Sequence, residues 1–222
     1  MKFLFFLVLV LMSVEAKNNL ERDEYKTMVD SCIKQHNGNS CISVGFLSQV
    51  SNLNYTDYQK IRLKYNWFEI LPLGTMDKFY NFSKKIKIDN NHNRALYMYE
   101  KACAYHNAIG CTLSGLHAKS DKRREAFYLT SCYNLKNANG CYMLGSYYES
   151  LNNFKQAKNF YRMGCNMQNA ISCTQLGSIY AFREKKEKIG FKLHKLGCEL
   201  SQVYKSRECL IAYPLRMNVK NK

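Results

Sequence analysis

Three sets of residues in this chain have side chains that do chemistry: ten cysteines, five histidines and one Ser-x-x-Lys run. The cysteines are Cys32, Cys41, Cys103, Cys111, Cys132, Cys141, Cys165, Cys173, Cys198 and Cys209. Thiols at such density serve as metal ligands, nucleophiles or cystines. Zinc needs close ligand pairs such as Cys-x-x-Cys or two histidines at finger spacing, and neither occurs. The sequence therefore predicts no metal site and no cofactor. Ser31-Cys32-Ile33-Lys34 is the single Ser-x-x-Lys, the nucleophile–base spacing of serine β-lactamases. Those enzymes also need Ser-Asp-Asn and Lys-Thr-Gly, which are missing, as are Gly-x-Ser-x-Gly and His-Glu-x-x-His. The histidines, His36, His92, His106, His117 and His194, are scattered along the chain and read as surface or helix-end residues. No catalytic residue is assigned.

The spacing of the cysteines carries more than their number. They form five close pairs with separations of 9, 8, 9, 8 and 11 residues. The first members of the last four pairs stand 29, 33 and 33 residues apart, which is the period of a structural repeat. Aligned on the pairs, a motif Asn-(Ala/Gly)-(Asn/Ile)-(Gly/Ser)-Cys occurs four times, beginning at Asn37, Asn107, Asn137 and Asn169. Four residues after its cysteine come Gly45, Gly115, Gly145 and Gly177. The residue before each first cysteine is small: Ser31, Ala102, Ser131, Gly164 and Gly197.

The elements that would hold this register are helices. Ala95 to Cys103 and Ala157 to Cys165 have helical spacing, with Ala157, Phe160, Tyr161 and Gly164 on one face. The Asn-rich stretch between cysteines suits a turn and an N-cap. A second helix begins near the second cysteine, and its glycine implies close helix–helix approach. Each pair then ties the end of one helix to the start of the next. Of ~945 possible pairings, the register selects Cys32–Cys41, Cys103–Cys111, Cys132–Cys141, Cys165–Cys173 and Cys198–Cys209. Tyr97, Tyr99, Tyr128 and Tyr161 are expected in the core, and Tyr147 and Tyr148 on a binding face.

The cysteine-free interval from Cys41 to Cys103 is longer than the others by about one repeat. Tyr55 to Tyr65 and Thr75 to Lys85 read as its two helices, giving a cysteine-free repeat around residues 50–90. Trp67-Phe68-Glu69-Ile70-Leu71-Pro72 is its expected joint, with aromatic packing in place of a bridge. The last repeat lacks the Asn motif and carries Tyr213-Pro214 where the glycine would be. That suits a C-terminal cap around residues 205–222.

At the N-terminus, Met1-Lys2 is followed by an uncharged apolar run from Phe3 to Val14 and a small Ala16. This reads as a signal peptide over residues 1–16, too short to span a membrane, with residues 17–222 as the exported product. Export to a periplasmic or extracellular, oxidising compartment makes cystines the default state of the thiols. The net charge is +16, from 33 Lys and Arg against 17 Asp and Glu. Lys84-Lys85-Ile86-Lys87, Lys122-Arg123-Arg124 and Lys185-Lys186-Glu187-Lys188 fit solvated faces, and the excess attracts an acidic partner. Nucleic acid is not expected, nor is stable membrane insertion.

Tyr99-Glu100-Lys101-Ala102-Cys103 followed by Asn107-Ala108-Ile109-Gly110-Cys111-Thr112-Leu113-Ser114-Gly115 resembles the Sel-like repeat. With a cystine in each repeat, residues from about 20 to 215 most resemble the Helicobacter cysteine-rich protein family. The resemblance implies an all-α solenoid of about six helix pairs, a tetratricopeptide-like right-handed superhelix with a concave face. It implies an exported bacterial protein. A solenoid's concave surface, with no recognisable catalytic set beside it, is expected to bind a protein, a peptide or a peptidoglycan fragment. The resemblance also implies β-lactamase or penicillin-binding activity, a label that family has carried.

Overall fold

The structure is a computed structural model that describes residues 22–51, 53–64, 75–86 and 91–201. Those residues are mainly helical, with no strand among them. They fall into two compact units, one ending at His117 and the other beginning at Ala118. The signal peptide expected over residues 1–16, the joint at Trp67 to Pro72, Cys209 and the cap at 205–222 lie outside the described residues.

The first unit contains α1 (22–34), α2 (Gly38–Val50), α3 (Tyr55–Lys64), α4 (Thr75–Ile86), α5 (His92–Ala104) and α6 (Ala108–His117). Helix α2 is apolar on nearly every side, so it is buried rather than half-exposed. It packs against α5 and α4, and α5 packs against α6. Val44, Phe46, Val50, Tyr99 and Leu113 form the center of this core. The α5 side chain that meets α2 is Tyr99, whose ring lies where a Cβ on Gly45 would stand. Its hydroxyl donates to Gln49 Oε1 at 2.9 Å. Tyr97 departs from the expectation of a core residue. It is 49% exposed, because two residues along a helix turn a side chain about 200° away from Tyr99.

The cysteine-free pair α3 and α4 meets through stacked tyrosines. The Tyr58 and Tyr80 rings lie 4.2 Å apart at 17°, and the Tyr58 hydroxyl donates to Asp77 Oδ1 at 2.7 Å.

The second unit contains α7 (Asp121–Leu129), α8 (Ala138–Ser150), α9 (Phe154–Asn166), α10 (Ala170–Ser178) and α11 (Glu187–Leu200). Wider π-type turns, Thr130–Asn134 and Ile179–Arg183, extend α7 and α10. Its core has two clusters, one around Tyr128, Leu144 and Phe160, the other around Tyr161, Leu176 and Ile179. The contact between α8 and α9 repeats that between α2 and α5. A Cβ on Gly145 would stand 2.6 Å from the Tyr161 ring, and the Tyr161 hydroxyl donates to Glu149 Oε2 at 2.6 Å. Burial and that bond push the Tyr161 hydroxyl far above its ordinary pKa, so it stays a donor.

Candidate functional site

Among the described residues four bridges have both cysteines in place: Cys32–Cys41, Cys103–Cys111, Cys132–Cys141 and Cys165–Cys173, with Cα–Cα distances of 4.8, 4.4, 4.6 and 4.6 Å. Cys198 ends its helix near Leu200, and its expected partner Cys209 lies outside the described residues. Such short Cα distances need two backbones in near contact, and small residues beside the cysteines allow it. A Cβ on Gly110 would collide with Ala102, one on Gly140 with Ser131, and one on Gly164 with Ser172. In the first corner both residues are serines, and Ser40 Oγ donates to Ser31 Oγ at 3.2 Å.

The chain turns between the cysteines in one way each time. The N–H of Asn37, Asn107, Asn137 and Asn169 donates back to the carbonyl of Ser31, Ala102, Ser131 and Gly164 respectively. The residue before each Asn is left-handed: His36, His106, Lys136 and Gln168, with φ of 54°, 60°, 50° and 63°. Each Asn then caps the next helix through its side-chain oxygen, as Asn169 does from Ser172 N at 2.8 Å. The amide nitrogen of the same side chain serves a second purpose. Asn107 Nδ2 donates to Asn39 Oδ1, and Asn169 Nδ2 to Asn139 Oδ1, both at 2.8 Å. Successive corners within a unit are thus laced together.

The two ends of the Ser-x-x-Lys run take different partners. Ser31 Oγ donates to Gln35 Oε1 at 3.0 Å, while Lys34 Nζ pairs with Asp30 at 3.2 Å on the surface. Of the histidines, His36, His92 and His106 are exposed, and His117 ends α6 in a buried position. His194 corrects the sequence reading, since it is fully buried in mid-helix rather than on the surface or at a helix end. It stands four residues before Cys198, the position that Tyr99, Tyr128 and Tyr161 hold relative to Cys103, Cys132 and Cys165. A Cβ on Gly177 would lie 3.0 Å from its ring, as Gly45 and Gly145 meet tyrosines. His194 is thus a packing residue in a tyrosine slot. Its Nε2 lies 3.4 Å from Ser178 Oγ, and burial lowers its pKa to about 4. The repeat alignment carried this signal, which reading the histidines singly missed.

Among the described residues no group of three His, Cys, Asp or Glu is placed to hold a metal ion. No described helix is long and apolar enough to cross a membrane. Among the described residues, one feature suited to a ligand is an open groove of about 660 Å³ in the second unit. Leu176 and Tyr180 line it from α10 and its turn, Ile189, Leu193, Leu196 and Leu200 from α11, and Arg162 and Cys165 from α9. Sequence reading singled out only Cys165 of these. Tyr147 and Tyr148 do not line it; they pack against the Tyr128 cluster. A hydrogen bond to Glu125, with burial, raises the Tyr148 hydroxyl to about 12.

The groove's edge is cationic. Arg162 Nη2 donates to the Tyr180 hydroxyl at 2.9 Å. Lys158 and Lys186 both pair with Glu184, and their ammonium groups stand 5.2 and 5.8 Å from the Tyr180 ring centroid. The hydrogen bonds from Lys158 and Lys186 hold the Glu184 carboxyl below its ordinary pKa. Lys158, Lys186, Arg162 and Glu184 thus gather at the aromatic end, and Lys192 adds a cation to the lining. No family model matches this chain, and neither does any curated protein.

Proposed function

We propose that this chain is an exported, disulfide-stapled repeat protein of the Sel-like type that serves as a binding scaffold for a protein or peptide ligand. The reading rests first on the groove of the second unit, an aliphatic trough with a cationic edge and the recessed form of a ligand site. Four cystines mark an oxidising compartment, in keeping with the signal-like N-terminus. The laced Asn corners give each unit the rigidity that a preorganised surface needs.

The test is crosslinking capture with the oxidised chain as bait in envelope and host extracts. The expected result is one specific protein or peptide partner, lost after reduction. Capture of a peptidoglycan fragment instead would keep the scaffold and change its ligand class. No partner, together with turnover of a chromogenic cephalosporin that falls in Lys34→Ala, would replace this reading with the enzymatic one.

A further inference from the structure

Helix α11 has two apolar faces. Gly190, His194 and Gly197 face α10, where a Cβ on either glycine would strike Ala181 or Thr174. The second face carries Ile189, Leu193, Leu196 and Leu200, spaced four, three and four residues. That is the spacing of a helix–helix seam, sustained over about 16 Å. Ile189 is 45% exposed and Leu196 39%, although both line the groove. Leu193 packs inward against the Tyr161, Leu176 and Ile179 cluster, so Ile189 and Leu196, one heptad apart, are the open part of this face.

Charge decides which helix. A second copy of this chain brings a net charge of +16 to an edge that already holds Lys158, Arg162, Lys186 and Lys192. Residues 202–222 of the chain bring Lys205, Arg207, Arg216, Lys220 and Lys222 against Glu208. Both would set like charges together as the aliphatic surfaces close. An acidic helix reverses the sign of that interaction.

We propose that the groove binds an acidic amphipathic helix of a partner protein. Its aliphatic residues, at four-three spacing, lie against Ile189, Leu193 and Leu196, and its carboxylates reach Arg162 and Lys192. This deepens the scaffold reading above and rests on it. Helix-in-groove recognition needs no further cofactor, and its specificity comes from the apolar register and the charged edge.

The probe is a synthetic peptide of about four turns with leucines at four-three-four spacing and glutamates on the outer face. It is titrated against the full oxidised chain by fluorescence anisotropy, with its helix content followed by circular dichroism. Binding with gain of helix is expected, and a lysine-faced peptide with the same leucines should not bind. Lys192→Glu should weaken the acidic peptide ~10-fold, chiefly at low salt. Leu196→Asp should weaken it by at least about tenfold with the melting temperature unchanged, because it buries an unpaired charge only in the complex. The double variant Arg162→Glu, Lys192→Glu should turn the preference to the lysine-faced peptide.

Equal binding of a leucine-scrambled acidic peptide would overturn the proposal, since charge alone would then suffice. Failure of the acidic peptide to bind would do the same. Within that failure, dimerisation abolished by Leu196→Asp would assign the seam to a second copy. A markedly lowered melting temperature in Leu196→Asp would assign it to the chain's own residues. A partner captured from extracts equally by Leu196→Asp and the wild type would retain the scaffold reading and move its site elsewhere. Absence of any captured partner would remove both.

Discussion

Cys165 and Cys173 close one helix corner with a covalent bond, whereas Tyr58 and Tyr80 join α3 and α4 by stacking two rings. The cystine acts largely on the unfolded chain, by removing conformations it would otherwise explore. The stack acts on the folded state, through buried aromatic area and a hydroxyl bonded to Asp77. One closure therefore depends on the redox state of its surroundings and the other does not. The contact between α10 and α11 adds a third kind, since His194 sits where other repeats place tyrosine and makes that contact sensitive to acid.

The largest expected effect breaks the aromatic side of this contrast. Tyr58 is fully buried, so Tyr58→Ala should cost about 3–5 kcal/mol in urea unfolding. Tyr58→Phe keeps the stack and should cost only about 1 kcal/mol, for the bond to Asp77. Equal losses in the two variants would show that the hydroxyl, not the ring, joins the pair.

The acid-sensitive contact comes next. His194 is held neutral in the fold with its pKa lowered to about 4, against 6.5 ordinarily. Unfolding therefore takes up a proton between those values. The contribution is complete above pH 6.5 and falls away as the pH drops toward 4, by about 3 kcal/mol in all. His194→Gln should flatten that part of the stability–pH curve; an unchanged slope would mean that other groups carry it.

Removing one bridge is the third test. Cys165→Ala with Cys173→Ala should cost about 2.5 kcal/mol, read as a shift in the urea midpoint. In the Tyr58→Ala variant, reductant should lower stability further, because the two closures act on different states of the chain. If reductant changes nothing, helix packing alone holds the corners.

These contrasts also show what could be read from residues alone. The corners were legible because each repeats a small residue, a cysteine, an Asn and a second cysteine, and each of these has a local physical reason. The two helices of the cysteine-free interval were legible from their periodicity, and α3 and α4 begin at the expected Tyr55 and Thr75. The stacked partners Tyr58 and Tyr80 were not, since pairing across 22 residues leaves no local pattern. The groove was hidden for the same reason: Arg162, Tyr180 and Leu196 converge only after three helices pack. Tyr97 lies outside the core because helix spacing that buries Tyr99 turns a residue two positions away by about 200°.

The smallest expected effect is a gain. Lys136 holds a left-handed φ of 50°, which glycine adopts without the Cβ penalty. Lys136→Gly should raise stability by up to about 1 kcal/mol, measured as a higher urea midpoint. A loss would show that the lysine stem contributes packing that outweighs its backbone strain.

The corners also differ in length, by one residue, without differing in design. Asn37 and Asn137 stand six residues after the carbonyl they bond, whereas Asn107 and Asn169 stand five. After Ser131 the extra residue is absorbed as a π-type turn, with Leu135 N bonded to Thr130 O. Corners of both lengths thus keep the same bond from the Asn N–H, whereas one residue more or fewer in mid-helix would rotate every following side chain by about 100°. The corner is therefore measured by bonding partners instead of residue number, and cystines eight and nine residues apart close it equally well.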